Sequence, residues 1–100
     1  MTVPIDYSKI TPKTADYTAT IGDTFITVDT AGGIVTITLP PSSGNAGFPI
    51  NVKRVAGLTY DAIVASQDGD LIDGLSTFTL ASLGNSVTLV PDGGTSWMVM

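Results

Sequence analysis

The chain has no cysteine, no histidine and no glutamate. Without cysteine there is no disulfide, no thiol nucleophile and no thiolate metal site. Without histidine the usual general base near neutral pH is missing, and the many Ser and Thr hydroxyls have nothing to activate them. All nine acids are aspartate, the bias expected where acids serve turns and not helix faces. Charged residues are only 13% of the chain and hydrophobic ones 43%, which argues against disorder and leaves a weakly charged surface that partner chains would naturally cover. Four Lys and Arg against nine acids give a net charge of −5 and a pI near 4.1, so the surface repels a phosphate backbone and no nucleic-acid partner is expected. No apolar run approaches the roughly 18 residues of a membrane span. The first residues, MTVPIDYSKITPKT, have neither a basic n-region nor an apolar h-region, so no secretory signal is read and the chain is expected in the cytosol until assembly. No segment has a helical period.

What is present is alternation. Residues 23–41, DTFITVDTAGGIVTITLPP, hold two alternating runs joined by TAGG and stopped by two prolines, a β-hairpin signature. Ile26 and Val28 share one face of the first run, and Val35, Ile37 and Leu39 one face of the second, with Thr36 and Thr38 opposite. A lone hairpin is marginal, so further strands must cover those residues.

One hundred residues suit one domain. Residues 1–14 contain Pro4 and Pro12 and no clean period, and are read as an extended N-terminal arm before a β-domain over 15–100. Val3, Ile5, Tyr7 and Ile10 of that arm either fray or dock on a partner. Short strands are expected at 15–20, 24–29, 34–39, 50–55, 60–65, 77–80, 86–90 and 96–100. Turn signals separate them every 8 to 15 residues. That pattern predicts an all-β fold, a small antiparallel sandwich or roll of about eight strands.

Four features invite a functional reading. Asp68, Asp70 and Asp73 within SQDGDLIDG supply hard oxygen ligands of the kind calcium takes, although Asp-Gly is also common turn chemistry and the EF-hand pattern is absent. The turn reading is preferred, and no metal or cofactor is assigned. Phe48, a large apolar residue in the polar loop SSGNAGFP, either folds onto the core or forms a subunit contact. Lys53 and Arg54 are adjacent and face opposite ways along a strand, so they serve edge protection or pair with a local Asp instead of forming a basic patch. Nine aspartates in turns will give close carboxylate pairs by chance, so no enzymatic activity is expected. In the last strand Trp97 faces one way and Met98 and Met100 the other. A strand apolar on both faces has to be covered twice, which predicts association through Met98 and Met100, with a closed homotrimer as the preferred assembly.

Taken in order, DTAGG at 29–33, VTITLP at 35–40, NVKR at 51–54, IDG at 72–74, SVTL at 86–89 and DGGTSW at 92–97 resemble a small β-rich module of tailed-bacteriophage virion proteins. Such modules occur in tail fibres, tailspikes and capsid-associated proteins, and the likeness spans roughly residues 17–100. The resemblance implies a trimeric structural or attachment component of a virus particle, without catalytic residues. Since the chain is nearly all module, with no fibre shaft, it implies first a capsid cement or decoration protein bound to the major capsid protein or another virion protein. The alternative is a tail fibre or spike module for host attachment.

Overall fold

A computed structural model describes residues 10–67 and 69–100. Val3, Ile5, Tyr7 and Asp68 lie outside that range. Ten strands and no helix occur among the described residues. They are β1 (Ile10–Lys13), β2 (Tyr17–Thr18), β3 (Phe25–Asp29), β4 (Val35–Thr38), β5 (Ile50–Ala56), β6 (Ala62–Ala65), β7 (Leu71–Ile72), β8 (Thr77–Leu80), β9 (Ser86–Pro91) and β10 (Ser96–Val99). A six-stranded sheet has the order β1-β3-β5-β9-β10-β7, and a four-stranded sheet the order β2-β4-β6-β8.

The first six strands alternate between the sheets, so every return to a sheet runs in the same direction. β1, β3 and β5 are therefore parallel in one sheet, and β2, β4 and β6 parallel in the other. Antiparallel strands flank these blocks, β9 beside β5 and β8 beside β6. The all-β expectation holds, but both sheets are mixed and not antiparallel. The expected hairpin over residues 23–41 is overturned as well, because β3 and β4 belong to different sheets. Alternation says which side chains point inward; it does not say which strand lies alongside. Here Ile26 and Val28 face Val35, Ile37 and Leu39 across the interior, all of them buried. The linking turn is anchored inward by Thr30, whose hydroxyl donates to the Tyr60 carbonyl at 2.7 Å and whose N–H donates to the Ala56 carbonyl at 3.0 Å.

One hydrophobic core joins the sheets, built from Ile26, Val28, Val52, Leu89 and Trp97 on one side and Val35, Ile37, Val64 and Leu80 on the other. Each such aliphatic side chain contributes roughly 1.5–3 kcal/mol by leaving water. Trp97 is fully buried, on the side of β10 away from Met98. β1 and β7 have no counterpart among the eight expected strands. β7 precedes a tight turn in which Asp73 (φ 47°) and Gly74 (φ 85°) both take positive φ and Ile72 bridges Leu75. That is Asp-Gly acting as the two-residue reversal its chemistry favours.

Candidate interaction surface

Because neighbours along a strand point to opposite sides, the buried positions identify the outward ones. On the six-stranded sheet Ile10, Phe25 and Asn51 lie side by side in register, and Asn51 is paired with Thr88. The Met100 N–H donates to the Thr88 carbonyl at 3.0 Å, which places Met100 at the end of the same row. A second row runs Pro12, Thr27, Lys53 and Ser86. Farther along, Val90 is opposite Met98, and Ser96 is opposite Leu71. The outer face of this sheet is therefore rich in Ile, Phe, Val, Leu and Met. Met98 and Met100 are 37% and 76% exposed on it, on the side away from Trp97 as the sequence predicts.

Between β1 and β9 this face is concave. A groove of about 260 Å³ is lined by Ile10, Phe25, Thr27, Asn51, Lys53 and Thr88, among others. Its polar floor is internally paired, since the Thr88 hydroxyl donates to Asn51 Oδ1 at 2.6 Å and Asn51 Nδ2 donates to the Thr24 carbonyl at 3.1 Å. What the groove offers a visitor is apolar surface and one cation. Lys53 is exposed and has no ion pair among the described residues.

The four-stranded sheet has a different outer face. Thr18, Thr38, Ala65 and Thr77 form one row in register, with Thr36, Ile63 and Thr79 in the next. Small β-branched hydroxyl residues tolerate water and stiffen strands, so this face suits solvent.

The loops gather apolar residues at one end of the strands. The turns 30–34, 57–61 and 81–85 lie together there, with Ile34, Leu58, Tyr60, Leu83 and, at the end of β5, Val55 exposed and Leu58 reaching 83%. Beneath them Arg54 is buried, donating to the carbonyls of Leu80 at 3.2 Å and Gly57 at 2.9 Å, with Asp61 3.7 Å away. Of the two expected roles for the basic pair, Arg54 thus takes the partnership with a local Asp, while Lys53 faces out. At the other end, Phe48 is 53% exposed. Its loop is stapled by buried Ser42, whose N–H donates to Asp70 Oδ2 at 2.8 Å and whose Oγ lies 3.1 Å from Asp92 Oδ1 and 2.9 Å from the Ser96 carbonyl. Gly47 adds a bond to the Pro91 carbonyl at 3.0 Å. The loop is held in place and its one aromatic ring points outward.

Of the described aspartates, all but Asp61 are occupied as staples. Asp16 accepts from Thr36 N–H, Asp29 from Ala31, Asp70 from Ser42, Asp73 from Val99, and Asp92 from Gly94 and Ser96. These two backbone N–H groups hold the Asp92 carboxyl below its usual value against a small opposing effect of burial, with help from the Ser42 hydroxyl. Asp23 gathers the Tyr17 hydroxyl at 2.6 Å, the Thr20 N–H at 2.9 Å and the Thr11 hydroxyl at 3.2 Å, tying β1 and β2 to the start of β3. Burial pushes its pKa up, but these donors outweigh burial and leave it lowered. Asp70 and Asp73 each hold a backbone amide of a different strand or loop. No group of three or more acidic, His or Cys side chains able to hold a metal ion occurs among the described residues.

Of the residues singled out from sequence, Ile10, Phe48, Met98 and Met100 are all exposed. Ile10 lies in β1, at the edge of the same sheet face as Met98 and Met100, and lines the groove. Ile34, Val55, Leu58 and Leu83 went unremarked, although Ile34 beside inward Val35 has to face outward by parity alone. No known protein family and no curated protein sequence matches the chain.

Proposed function

We propose that the protein is a structural component of a bacteriophage virion, a cement or decoration protein that coats the outside of the head as a homotrimer bound to the major capsid protein or another virion protein. The observation that carries this reading is the outer face of the six-stranded sheet, where Phe25, Val90, Met98, Met100 and Leu71 stand among polar neighbours on one side of a slab 19 Å thick. Such a face on a thin two-layer body favours association, and repeated copies on a symmetric shell multiply weak contacts through avidity. Carboxylates committed to backbone amides and a buried Arg54 held by carbonyls support a passive, rigid part in place of a catalyst. The acidic composition opposes adsorption to packaged DNA.

A second reading, attachment to the host as a tail fibre or spike module, is favoured by Phe48 and Tyr60, aromatic residues exposed on loops at opposite ends of the strands. Quantitative mass spectrometry of purified particles separates the two readings. Decoration predicts a copy number comparable with that of the shell protein; attachment predicts a few to tens of copies, located at the tail. Absence from the particle would overturn both.

A further inference from the structure

We propose that the free edge of β8 pairs antiparallel with β8 of a second copy, across a two-fold axis at Phe78, so that two four-stranded sheets become one continuous sheet. The pairing uses a different surface from the six-stranded face and does not rest on the virion reading.

A sheet edge presents unpaired N–H and C=O groups, and folded proteins blunt such edges with proline, lysine or very short strands. Three of the four edges here are blunted. β1 carries Pro12, which lacks an N–H, and Lys13, while β2 and β7 are two residues long. β8 has none of these devices. It is four residues long, and the whole stretch 75–85, LSTFTLASLGN, holds no charged residue and no proline. Copies that each carry a net charge of −5 repel one another, so this uncharged stretch is where two of them approach with least opposition.

The groups on that edge can be named. The Ser66 N–H donates to the Ser76 carbonyl at 3.1 Å, which sets the phase of the ladder between β6 and β8. Hydrogen-bonded pairs alternate along an antiparallel ladder, so Phe78 and Leu80 bond to β6 while the N–H and C=O of Thr77 and Thr79 point away from it. Both threonines are exposed, and no hydrogen bond of theirs on that side occurs among the described residues.

Those groups are complementary to their own copy. In the antiparallel register centred on Phe78, Thr77 lies opposite Thr79 of the second copy, and each such pair exchanges two hydrogen bonds, so every outward group of both threonines is used. The partly buried Phe78, packed against the core, meets its counterpart in a non-hydrogen-bonded pair with Cα atoms about 4.5 Å apart, where aromatic side chains attract across strands. Each chain has one unblunted edge, so the association closes at two copies. A strand of four residues spans only about 13 Å, and the contact falls well short of the roughly 1,200 Å² of a stable complex. The pairing therefore acts between copies held at a local concentration of about 1 mM and is not populated at micromolar concentration.

Because the chain has no cysteine, disulfides can report the register. Thr77→Cys and Thr79→Cys chains, one of them labelled with heavy nitrogen, are mixed in equal amounts at about 1 mM, oxidised, and weighed as linked dimers. The proposed register sets position 77 of one chain about 5.5 Å from position 79 of the other, within disulfide reach, and like positions about 8–9 Å apart, beyond it. The mixed dimer is expected to exceed each like-with-like dimer about tenfold. A statistical mixture, or an excess of like-with-like dimers, would overturn the proposal and leave the edge to an extended segment of a different protein. The unsubstituted chain gives a second readout by nuclear magnetic resonance. Between about 50 μM and about 1 mM its amide resonances at 76–80 are expected to shift. Thr79→Pro, which removes an outward N–H and no bond to β6, is expected to keep the folded spectrum and abolish the shift. Resonances in the parent that do not move with concentration, or that move equally in Thr79→Pro, would overturn the proposal.

Discussion

Gly57 packs against Thr30 so closely that a Cβ at this position would lie 2.6 Å from the Thr30 carbonyl carbon and 2.7 Å from the Ala31 nitrogen. Its φ of 93° is also one that side-chain-bearing residues rarely adopt. The contact fastens the arch between β3 and β4 to the loop after β5. Gly57→Ala is expected to destabilise the fold by at least about 2 kcal/mol, from backbone strain and displacement of Thr30. Gly32→Ala in the same arch has open space around it and is expected to shift stability by no more than about 0.5–1 kcal/mol. Urea unfolding of both variants checks the contrast.

Arg54 makes the second prediction. Arg54→Ala leaves the carbonyls of Leu80 and Gly57 without their donor and opens a cavity under the loops, for an expected loss of about 2–4 kcal/mol. Asp61 is 3.7 Å away and half exposed, so Asp61→Asn is expected to cost about 1 kcal/mol or less. Equal losses in the two variants, measured by denaturant titration, would mean that the ion pair and not the carbonyl contacts holds Arg54.

Asp23 and Tyr17 give the fold a pH dependence at both extremes. The lowered pKa of Asp23 means that the folded state resists protonation, so its contribution is present above the unfolded value of about 3.9 and is lost as pH falls through the lower folded value. Tyr17 has a raised pKa, first through its hydrogen bond to Asp23, then through burial and the charge of that carboxylate. Its contribution is present below the unfolded value of about 10 and is lost as pH rises through the folded value. Thermal melts of Asp23→Asn are expected to show a shallower fall of the midpoint in acid than the parent chain, and Tyr17→Phe a shallower fall in base.

Much of this fold is legible in the sequence because burial follows parity. Ile26, Val28, Val35, Ile37 and Leu39 are expected from alternation to need covering and are buried. Pairing is not legible in the same way. The arch at residues 30–34 and a hairpin turn share the same Gly-rich signature, and only the inward Thr30 and the fit of Gly57 against it distinguish them. β7 escapes notice because two apolar residues among Asp and Gly have no period to detect. The surface is half legible: Met98 and Met100 stand out by facing away from Trp97, while the groove depends on the strand order that brings β1, β3, β5 and β9 together.

The outer sheet face yields the prediction on which the functional reading turns. Met98→Gln with Met100→Gln replaces side chains that the isolated fold leaves 37% and 76% exposed with a polar one of similar length, so monomer stability is expected to change by no more than about 1–2 kcal/mol. Association, in contrast, is expected to weaken at least tenfold. Phe48→Ser tests the loop in the same way, with the same small effect on folding expected for an exposed ring.

The most direct test of the central claim, that this sheet face joins copies of the chain, is the solution mass by sedimentation equilibrium at micromolar concentration. The account predicts a trimer for the parent protein and a shift toward monomer for the Met98→Gln, Met100→Gln variant. A parent chain that sediments as a stable monomer would contradict it.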